Sequence, residues 1–380
     1  MSKIISRLLD VTLPAGRSAF LWGPRKVGKS YWIANHLAKA AVVDLLKTDQ
    51  FSDYVTRPAL LRERFQNHKG LIVIDEVQKI PALLDEVHWL MENKGAQFLL
   101  TGSSARKLKR GHANLLGGRA WRRVMVPLSI QEVDILDLEK VMISGLLPPH
   151  FLSPNPLEDL RAYVADYLKE EIAAEALTQN LPAFREFLRV AAMTNSELLD
   201  YANVARETGV SAKIVRTYFD ILEDTYLGFR IPPWKSSKNR RMILTEKFYF
   251  FDMGVANYLA RRQPLPGSSE FGKSFEHYIL MELRAYQTYR NPELPITFWR
   301  TSTGTEVDFI LGDKELALEI KSSKRIHEED LRGLKIIEED GKVGHRVVVS
   351  MEEEPRTVAG GIVILPWRQF LKNLWKGDYV

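Results

Sequence analysis

The chain has 380 residues and a formal net charge of +5, which favours polyanions such as nucleic acids as partners. Its composition, 45% hydrophobic and 27% charged, excludes a disordered or fibrous protein, and its length predicts two or three domains. The absence of cysteine excludes disulfide scaffolds, thiolate zinc sites and cysteine nucleophiles, and the lack of a secretory signal or of a run of roughly 20 apolar residues predicts a cytoplasmic protein without membrane contact.

The first 130 residues alternate short apolar runs with helical segments, which is the pattern of a parallel sheet covered on both faces. The predicted strands are residues 18–22, 41–46, 71–74, 97–100 and 124–128. This part of the chain is therefore predicted to be an α/β domain built on a parallel sheet of the P-loop type.

A glycine-rich loop follows the first predicted strand and precedes a helix. Eight residues fit the pattern G-x-x-x-x-G-K-[ST] at every fixed position: Gly23, Pro24, Arg25, Lys26, Val27, Gly28, Lys29 and Ser30. The two glycines let backbone N–H groups point at phosphate oxygens, and the helix presents its positive dipole end to them. We expect ATP to bind here, with Lys29 at the outer phosphates and Ser30 on Mg²⁺.

Two acidic residues, Asp75 and Glu76, follow the third predicted strand directly. Asp75 is expected to hold Mg²⁺ through water, and Glu76 to polarise the attacking water as the general base. The next strand ends in polar residues, where Thr101, or alternatively Ser103, is expected to sense the terminal phosphate. An ordinary strand-to-loop turn is the other interpretation of that segment.

The middle of the chain is predicted to be helical. Residues 131–195 are expected to form a linker or lid, and residues 196–262 a winged helix-turn-helix with its turn at 208–210. Strand-like pieces at 242–244 and 248–251 suit a wing, and Lys247 lies in the basic ribbon around them. Winged helices bind DNA, but they also dock proteins and serve as lids in ATPases. The residues expected to contact DNA phosphates are Lys213, Arg216, Lys235, Lys238, Arg240 and Arg241.

Residues 270–380 are predicted to form a further α/β domain. A helix at 271–288 is followed by strands near 296–300, 306–311 and 315–321, a charged helix, and late strands at 346–350 and 361–365. Glu319 and Lys321 lie two apart on one strand, so their side chains project from the same face, and Asp308 comes from the preceding strand of the same hairpin. The spacing therefore brings three charged groups together.

The chain resembles prokaryotic AAA-type ATPases that carry a C-terminal domain of unknown function, nearly from end to end. Besides the glycine-rich loop, the resemblance rests on Ile74-Asp75-Glu76-Val77-Gln78, Leu100-Thr101-Gly102-Ser103-Ser104, Gly118-Arg119 with Pro127-Leu128-Ser129, the run from Lys247 to Gly254, and Glu306-Val307-Asp308 with Glu319-Ile320-Lys321. It implies an ATPase core, a winged helix and a nuclease-like end domain. It also implies a homo-oligomer in which Arg119, with Arg122 or Arg123 behind it, reaches a neighbouring subunit's nucleotide. A surface strand with solvated arginines is the alternative.

With Glu276 on the helix that opens the last domain, the residues Asp308, Glu319 and Lys321 resemble the constellation of PD-(D/E)xK nucleases, which have a restriction-endonuclease-like fold. In those enzymes the carboxylates hold a divalent metal, here a second one, and the lysine stabilises charge. The alternatives are a Glu–Lys ion pair, or a nuclease fold that has lost its activity and only binds DNA.

The predicted function is Mg²⁺-dependent ATP hydrolysis, to ADP and phosphate, by a protein that acts on or with DNA through remodelling, translocation or ATP-gated processing. One alternative is a nucleotide-dependent signalling or defence switch that binds a protein partner. The other is an ATP-gated, metal-dependent DNA nuclease.

Overall fold

The computed structural model describes residues 5–14, 16–106, 108, 116–167, 180–234 and 244–380. The chain divides into two compact units: Met1–Val126 together with Asp220–Leu227, and Pro127–Phe219 together with Gly228–Val380. The finer division into domains at residues 130, 195 and 262 stays a prediction.

The first unit is built on a five-stranded parallel sheet with the strand order β2-β3-β4-β1-β5. Its strands are β1 (Ser18–Trp22), β2 (Ala41–Asp44), β3 (Leu71–Asp75), β4 (Gln97–Gly102) and β5 (Ala120–Val124). The helices α1 (Lys29–His36), α2 (Thr48–Thr56), α3 (Leu60–Phe65) and α4 (Leu83–Lys94) connect them. Strands β1, β3 and β4 are almost entirely buried, as expected for central strands of a sheet covered on both faces. The predicted α/β class is confirmed.

The fifth strand was misplaced by sequence reasoning. It spans Ala120–Val124, whereas the apolar pattern predicted residues 124–128. Strand β5 pairs with β1 alone and carries Arg122 and Arg123, so its pattern is partly polar. An edge strand tolerates charged side chains because one of its sides is not covered by another strand. The apolar run therefore pointed to the segment after the strand.

The segment Asp220–Leu227 packs with the first unit although it lies far along the sequence. Arg106 donates to the Asp224 carboxylate at 3.0 Å, and the Ala105 amide donates to the Asp224 carbonyl at 3.3 Å. The Tyr226 ring stacks on Trp22 with 6.3 Å between centroids. The first unit is thus completed by residues that follow a long excursion of the chain.

The second unit begins with helices. They are α5 (Leu138–Ser144), α6 (Pro148–Leu152), α7 (Pro156–Asp166), α8 (Leu181–Met193), α9 (Tyr201–Thr208), α10 (Ala212–Asp224) and α11 (Met253–Ala260), of which α10 ends in the segment that packs with the first unit. The Asp200 carboxylate caps α9 by accepting from the Ala202 and Asn203 amides at 3.0 and 2.9 Å. Gly209 ends α9 with a φ of 68°, a left-handed conformation that favours glycine, and α10 follows after a short turn.

An antiparallel pair of strands follows α10: β6 (Gly228–Ile231) and β7 (Lys247–Phe250). The predicted piece at 248–251 corresponds to β7. Of the other predicted piece, Met242 and Ile243 lie outside the described residues, and Leu244 is exposed and outside any strand. The apolar side chain of Leu244 was therefore misread as a strand residue.

Asp252 and two glycines form a tight junction in the second unit. The buried Asp252 carboxylate accepts from the Leu146 amide at 2.7 Å and caps α11 by accepting from the Val255 amide at 3.0 Å. A Cβ on Gly145 would lie 2.0 Å from that carboxylate, and a Cβ on Gly254 would lie 2.4 Å from the Gly145 amide nitrogen. Both positions therefore require glycine, which explains why Asp252-Met-Gly254 stands out in the sequence.

The C-terminal part contains a mixed six-stranded sheet in the order β12-β13-β11-β10-β9-β8. Its strands are β8 (Ile296–Arg300), β9 (Glu306–Leu311), β10 (Leu316–Ile320), β11 (His345–Ser350), β12 (Arg356–Val358) and β13 (Ile362–Pro366), and its helices are α12 (Ser269–Tyr289), α13 (Arg332–Ile336) and α14 (Trp367–Lys376). Strand β9 runs antiparallel to β8 and to β10, whereas β11 is parallel to β10 and to β13. Strand β10 is buried throughout and lies near the centre of the sheet.

Across the described ranges, no helix is both long enough and apolar enough to cross a bilayer.

Candidate functional site

The glycine-rich loop leaves β1 at the carboxyl edge of the sheet, where ligands of open α/β folds bind. Gly23 and Gly28 have φ values of 151° and 106°, both outside the range that residues with a side chain normally adopt. A Cβ on Gly23 would lie 2.4 Å from the Met125 carbonyl oxygen, so no side chain fits there. Helix α1 begins directly after Gly28 and has no acidic residue in its first turn. The loop is therefore a backbone cradle with a positive helix end beside it.

Lys29 and Ser30 occupy the start of α1. The buried Lys29 ammonium donates to the carbonyl oxygens of Gly23 and Pro24, at 2.6 and 3.0 Å, and so lies across the loop. The Ser30 hydroxyl donates to Asp75 Oδ2 at 2.8 Å. A hydroxyl and a carboxylate side by side at the end of a phosphate-binding loop are the oxygen ligands that Mg²⁺ prefers, so these residues fit a magnesium–nucleotide complex.

A hydrogen bond from the neighbouring strand β4 also positions the Asp75 carboxylate. The Thr101 hydroxyl of β4 donates to Asp75 Oδ1, opposite the bond from Ser30. Burial raises the pKa of Asp75, and the hydrogen bonds from Thr101 and Ser30 act in the opposite direction. Thr101 is fully buried, and its hydroxyl also accepts from the Glu76 amide at 3.4 Å, so it contacts both acidic residues. Its expected role as a phosphate sensor stays a prediction.

Glu76 adopts an unusual backbone conformation directly after β3, with φ 60° and ψ 46°. Its carboxylate accepts from the Gln78 side-chain amide and, at 3.2 Å, from the Ser103 hydroxyl. Gln78 is 2% exposed, and its amide group also donates to Ser103 at 3.2 Å. Left-handed conformations of residues with side chains are strained and often occur at functional sites, where the surrounding structure holds them.

Sequence reasoning missed Gln78 as part of this site, although it quoted the residue within a motif. Two residues apart on a continuing strand, Glu76 and Gln78 would share a face at a separation of about 7 Å. The left-handed turn at Glu76 ends the strand instead and brings the two side chains together. An uncharged amide side chain two residues after a candidate catalytic carboxylate was the signal available in the sequence.

The candidate arginine finger lies at the opposite edge of the sheet from the phosphate loop. Arg119 precedes β5, whose first residue, Ala120, pairs with Ser18 at the start of β1. Arg119 is therefore roughly 15 Å along the strands from the loop. It is half exposed, and its Nε lies 2.5 Å from Glu92 Oε1. Arg122 donates to the Tyr226 hydroxyl at 2.9 Å.

The C-terminal residues Asp308, Glu319 and Lys321 meet on β9 and β10, as the hairpin geometry predicted. Lys321 Nζ lies 2.7 Å from Glu319 Oε1, and Asp308 Oδ2 accepts from the Ile320 amide at 2.7 Å. Burial raises the pKa of Glu319 to about 7, against the opposing effect of Lys321. Burial, with the charges of Glu319 and Glu276, also raises the pKa of Asp308 well above its ordinary value.

Glu276 lies beside two residues of β7 that sequence reasoning did not connect with it. The Tyr249 hydroxyl donates to Glu276 Oε1 at 2.6 Å, and Lys247 Nζ lies 3.9 Å from the same oxygen. Lys247 also forms an ion pair with Glu306. Assigning Lys247 to a basic, phosphate-contacting ribbon was therefore wrong, because the side chain is 4% exposed and paired with carboxylates.

A cavity of about 330 Å³ opens next to these groups. Glu306, Glu319 and Lys321 line it together with residues that follow β8 and β10: Thr303, Gly304, Thr305, Glu329, Asp330, Arg332 and Gly333. Across the described part of the chain, no group of three or more His, Asp or Glu side chains has the geometry to hold a metal ion. The expected second divalent metal thus lacks a ligand set in the structure.

The other expected DNA contacts are only partly within the described residues. Lys213 and Arg216 are exposed on α10, and the Arg216 guanidinium lies 4.9 Å from the centre of the Tyr201 ring. Lys235, Lys238, Arg240 and Arg241 lie outside the described residues.

Three family models match consecutive parts of the chain. Residues 16–134 match an AAA domain, residues 135–265 match a domain of unknown function, DUF8612, and residues 271–370 match another, DUF4143. The order of the matches is thus an AAA domain followed by two domains of unknown function.

Curated relatives cover most of the chain at low identity. An uncharacterized protein of Mycobacterium tuberculosis is 27% identical over 312 residues, which is 79% of this chain and 69% of that protein. An uncharacterized protein of Methanocaldococcus jannaschii is 23% identical over 353 residues, covering 83% of this chain and 77% of that protein.

Similar solved structures include the Aeropyrum pernix ORC1 protein in complex with DNA. It has 11% sequence identity and a TM-score of 0.28, and the match covers 64% of this chain and 86% of that one. Drosophila ORC bound to AT-rich DNA and Cdc6 has 13% identity and a TM-score of 0.22, with coverage of 65% and 85%.

Proposed function

We propose that the AAA domain at residues 16–134 binds ATP with Mg²⁺ and hydrolyses it, and that the chain does so on DNA. One observation carries the first part: Ser30 and Asp75 are bonded at 2.8 Å beside the glycine cradle, and Glu76 follows Asp75 directly. A magnesium ligand pair and a second carboxylate thus meet at the end of a phosphate-binding loop.

Each residue has a distinct task in this proposal. Lys29, which bonds two carbonyl oxygens of the loop, would turn to the outer phosphates. Magnesium, when bound with the nucleotide, supplies charge neutralisation between the phosphates. Glu76 would accept a proton from the attacking water, and Gln78 and Ser103 orient its carboxylate for that step.

Arg119 is the proposed arginine finger, and it must act on the nucleotide of another subunit. Its position at the amino edge of β5 supports this, because the side chain cannot span the length of the sheet to its own phosphate loop. A homo-oligomer is therefore part of the proposal, with Glu92 releasing Arg119 when subunits meet.

DNA is the proposed partner because of α10 and the strands after it. Two helices joined by a tight turn at Gly209 and followed by an antiparallel pair of strands are the order of elements in a winged helix. The second helix exposes Lys213 and Arg216, which suit contacts with phosphates. The C-terminal carboxylates give less support to metal-dependent cleavage, because protein donors already occupy them.

The test is steady-state ATP hydrolysis with Mg²⁺, with and without single-stranded, duplex and branched DNA, while the DNA is followed on a gel. We expect hydrolysis that DNA stimulates. Lys29→Ala should abolish nucleotide binding, and Glu76→Gln should keep binding but stop hydrolysis, so normal turnover in Glu76→Gln contradicts the role of Glu76. Hydrolysis that is indifferent to every DNA would instead favour a switch that binds a protein partner.

A further inference from the structure

We infer that Lys247 is the resident cation of the carboxylate cluster formed by Glu276, Glu306, Asp308 and Glu319, and that it takes the place of a divalent metal there. This role goes beyond ATP hydrolysis and does not depend on it. The resemblance to metal-dependent nucleases implies a metal at these carboxylates, but the donor set of this chain does not fit one.

The position of Lys247 is the first argument. It lies on β7 with 4% of its surface exposed, in the run Lys247-Phe-Tyr-Phe-Phe, which is otherwise fully apolar or aromatic. Its ammonium pairs with Glu306 and lies 3.9 Å from Glu276 Oε1, with the Phe298 ring centre 5.2 Å away. A buried ammonium is strongly unfavourable unless carboxylates compensate it, so the lysine and the acids require each other.

The bonding of the carboxylate oxygens is the second argument. Each acid of the cluster accepts from a protein donor: Glu276 from Tyr249, Glu306 from Arg300 at 2.8 Å, Asp308 from the Ile320 amide, and Glu319 from Lys321. Among the described residues, Glu319 Oε2 is also fully buried and has no hydrogen-bond partner. A divalent metal would compete with these donors, and within the described residues no group of three or more His, Asp or Glu side chains has the geometry to hold one.

A chain without the Lys247 ammonium should respond differently to divalent metal ions. Glu276 would then lose its ammonium partner and Glu306 would keep only Arg300, so the cavity that Glu306 and Glu319 line would carry one positive charge fewer. A small divalent cation entering through that cavity would restore the balance of charge. Removal of Lys247 should therefore create a response to metal that the natural chain does not have.

The experiment compares the full-length, nucleotide-free natural chain with Lys247→Met and with Lys314→Met. Lys314 is a matched control, because it is also a buried lysine of the second unit, 9% exposed, but donates to the Asp340 carbonyl oxygen at 3.1 Å. Thermal unfolding is followed in MnCl₂ and in KCl of equal ionic strength, and bound Mn²⁺ is measured by the loss of the free-ion electron paramagnetic resonance signal. Asp75 is present in all three proteins, so metal bound there contributes equally to each measurement and does not affect the comparison.

We expect Mn²⁺ to leave the natural chain and Lys314→Met unchanged, and to restore much of the stability that Lys247→Met has lost. Equal Mn²⁺ binding by the natural chain and Lys247→Met would overturn the inference, as would a Lys247→Met protein with undiminished stability and no Mn²⁺ response. If Lys247→Met does not fold, Lys247→Met/Glu306→Gln should fold, and its failure to do so would count against the inference. ATP turnover is not measured in this experiment, so its result does not depend on whether the proposed ATPase activity is correct.

Discussion

The Thr101 hydroxyl donates to the carboxylate of Asp75, the last residue of the neighbouring strand β3. Ser103, two residues further along, bonds Glu76 in the same way at 3.2 Å. The end of β4 thus holds both carboxylates of the candidate nucleotide site, one with each hydroxyl.

Replacing Thr101 by valine keeps the shape of the side chain but removes the donor. Because a hydrogen bond to a charged group contributes about 1.5–3 kcal/mol, we expect kcat/KM for MgATP to fall by about tenfold or more. Thr225→Val is the control, since that buried hydroxyl donates to the Ile221 carbonyl of its own helix at 2.8 Å. Equal losses of kcat/KM in the two variants would mean that the Thr101 hydroxyl acts only through the stability of the fold.

Gln78→Ala should lower kcat while leaving the affinity for MgATP unchanged, because only the orientation of Glu76 is lost. Gln78→Glu should lower kcat further, since a second carboxylate would be placed beside Glu76 in a buried site, and acidification should recover part of that loss. Binding is measured with a fluorescent nucleotide and turnover by phosphate release. A change in affinity with constant kcat would contradict this role.

Glu282 predicts a pH dependence of stability in the second unit. Its carboxylate accepts from the Ile130 amide at 2.7 Å and from Trp375 Nε1 at 3.2 Å, and burial raises its pKa to about 7. A raised pKa means that folding favours the protonated form, so this stability is fully present below about pH 4.5 and is lost as the pH rises through about 7.

The free energy of unfolding of Glu282→Gln, relative to the natural chain, should therefore rise by roughly 2 kcal/mol between about pH 5 and about pH 8. Urea unfolding at both pH values measures it. The exposed Glu353→Gln is the control and should show no such change. A constant difference for Glu282→Gln would show that its pKa is not raised in the folded chain.

Lys213→Ala/Arg216→Ala should weaken DNA binding and reduce the slope of log affinity against log salt by about 2, as expected for two lost phosphate contacts. Lys372→Ala/Lys376→Ala removes the same charge from exposed positions on α14 and serves as the control. Fluorescence anisotropy at several salt concentrations gives both slopes. Equal slopes in the two double variants would mean that α10 does not contact the phosphates.

Mixing two inactive variants tests whether Arg119 acts between subunits. Arg119→Ala lacks the arginine and Glu76→Gln lacks the base, so each alone should hydrolyse little ATP. In a mixed oligomer, a Glu76→Gln subunit can supply Arg119 to an Arg119→Ala neighbour, and part of the activity should return. No recovery, in oligomers shown to exchange subunits, would contradict action in trans.

Local patterns in the sequence were sufficient for much of the fold and for the phosphate loop. Strands β1, β8 and β9 lie where apolar runs bounded by turn residues predicted them, because buried strands impose their burial on the sequence. The loop at Gly23 to Ser30 was recognisable because its backbone geometry requires particular residues at fixed spacings.

The pairing of charges across the second unit could not be predicted in this way. Lys247 and Glu306 are far apart in the sequence, and each, taken alone, fits an exposed site. Their juxtaposition depends on how β7 packs near β9, which no local pattern reports. Strand β5 was misplaced for a related reason, since an edge strand does not impose an apolar pattern.

The segment Asp220–Leu227 has a consequence for biosynthesis. The sheet of the first unit is translated early, but Tyr226, which stacks on Trp22, and Asp224, which pairs with Arg106, are made only after Pro127–Phe219 has been synthesised. At about 5–20 residues per second, the nascent unit waits several seconds without the contact of Tyr226 on Trp22 and of Asp224 on Arg106. During that time the face of Trp22 that Tyr226 later covers, next to the phosphate loop, stays accessible to chaperones.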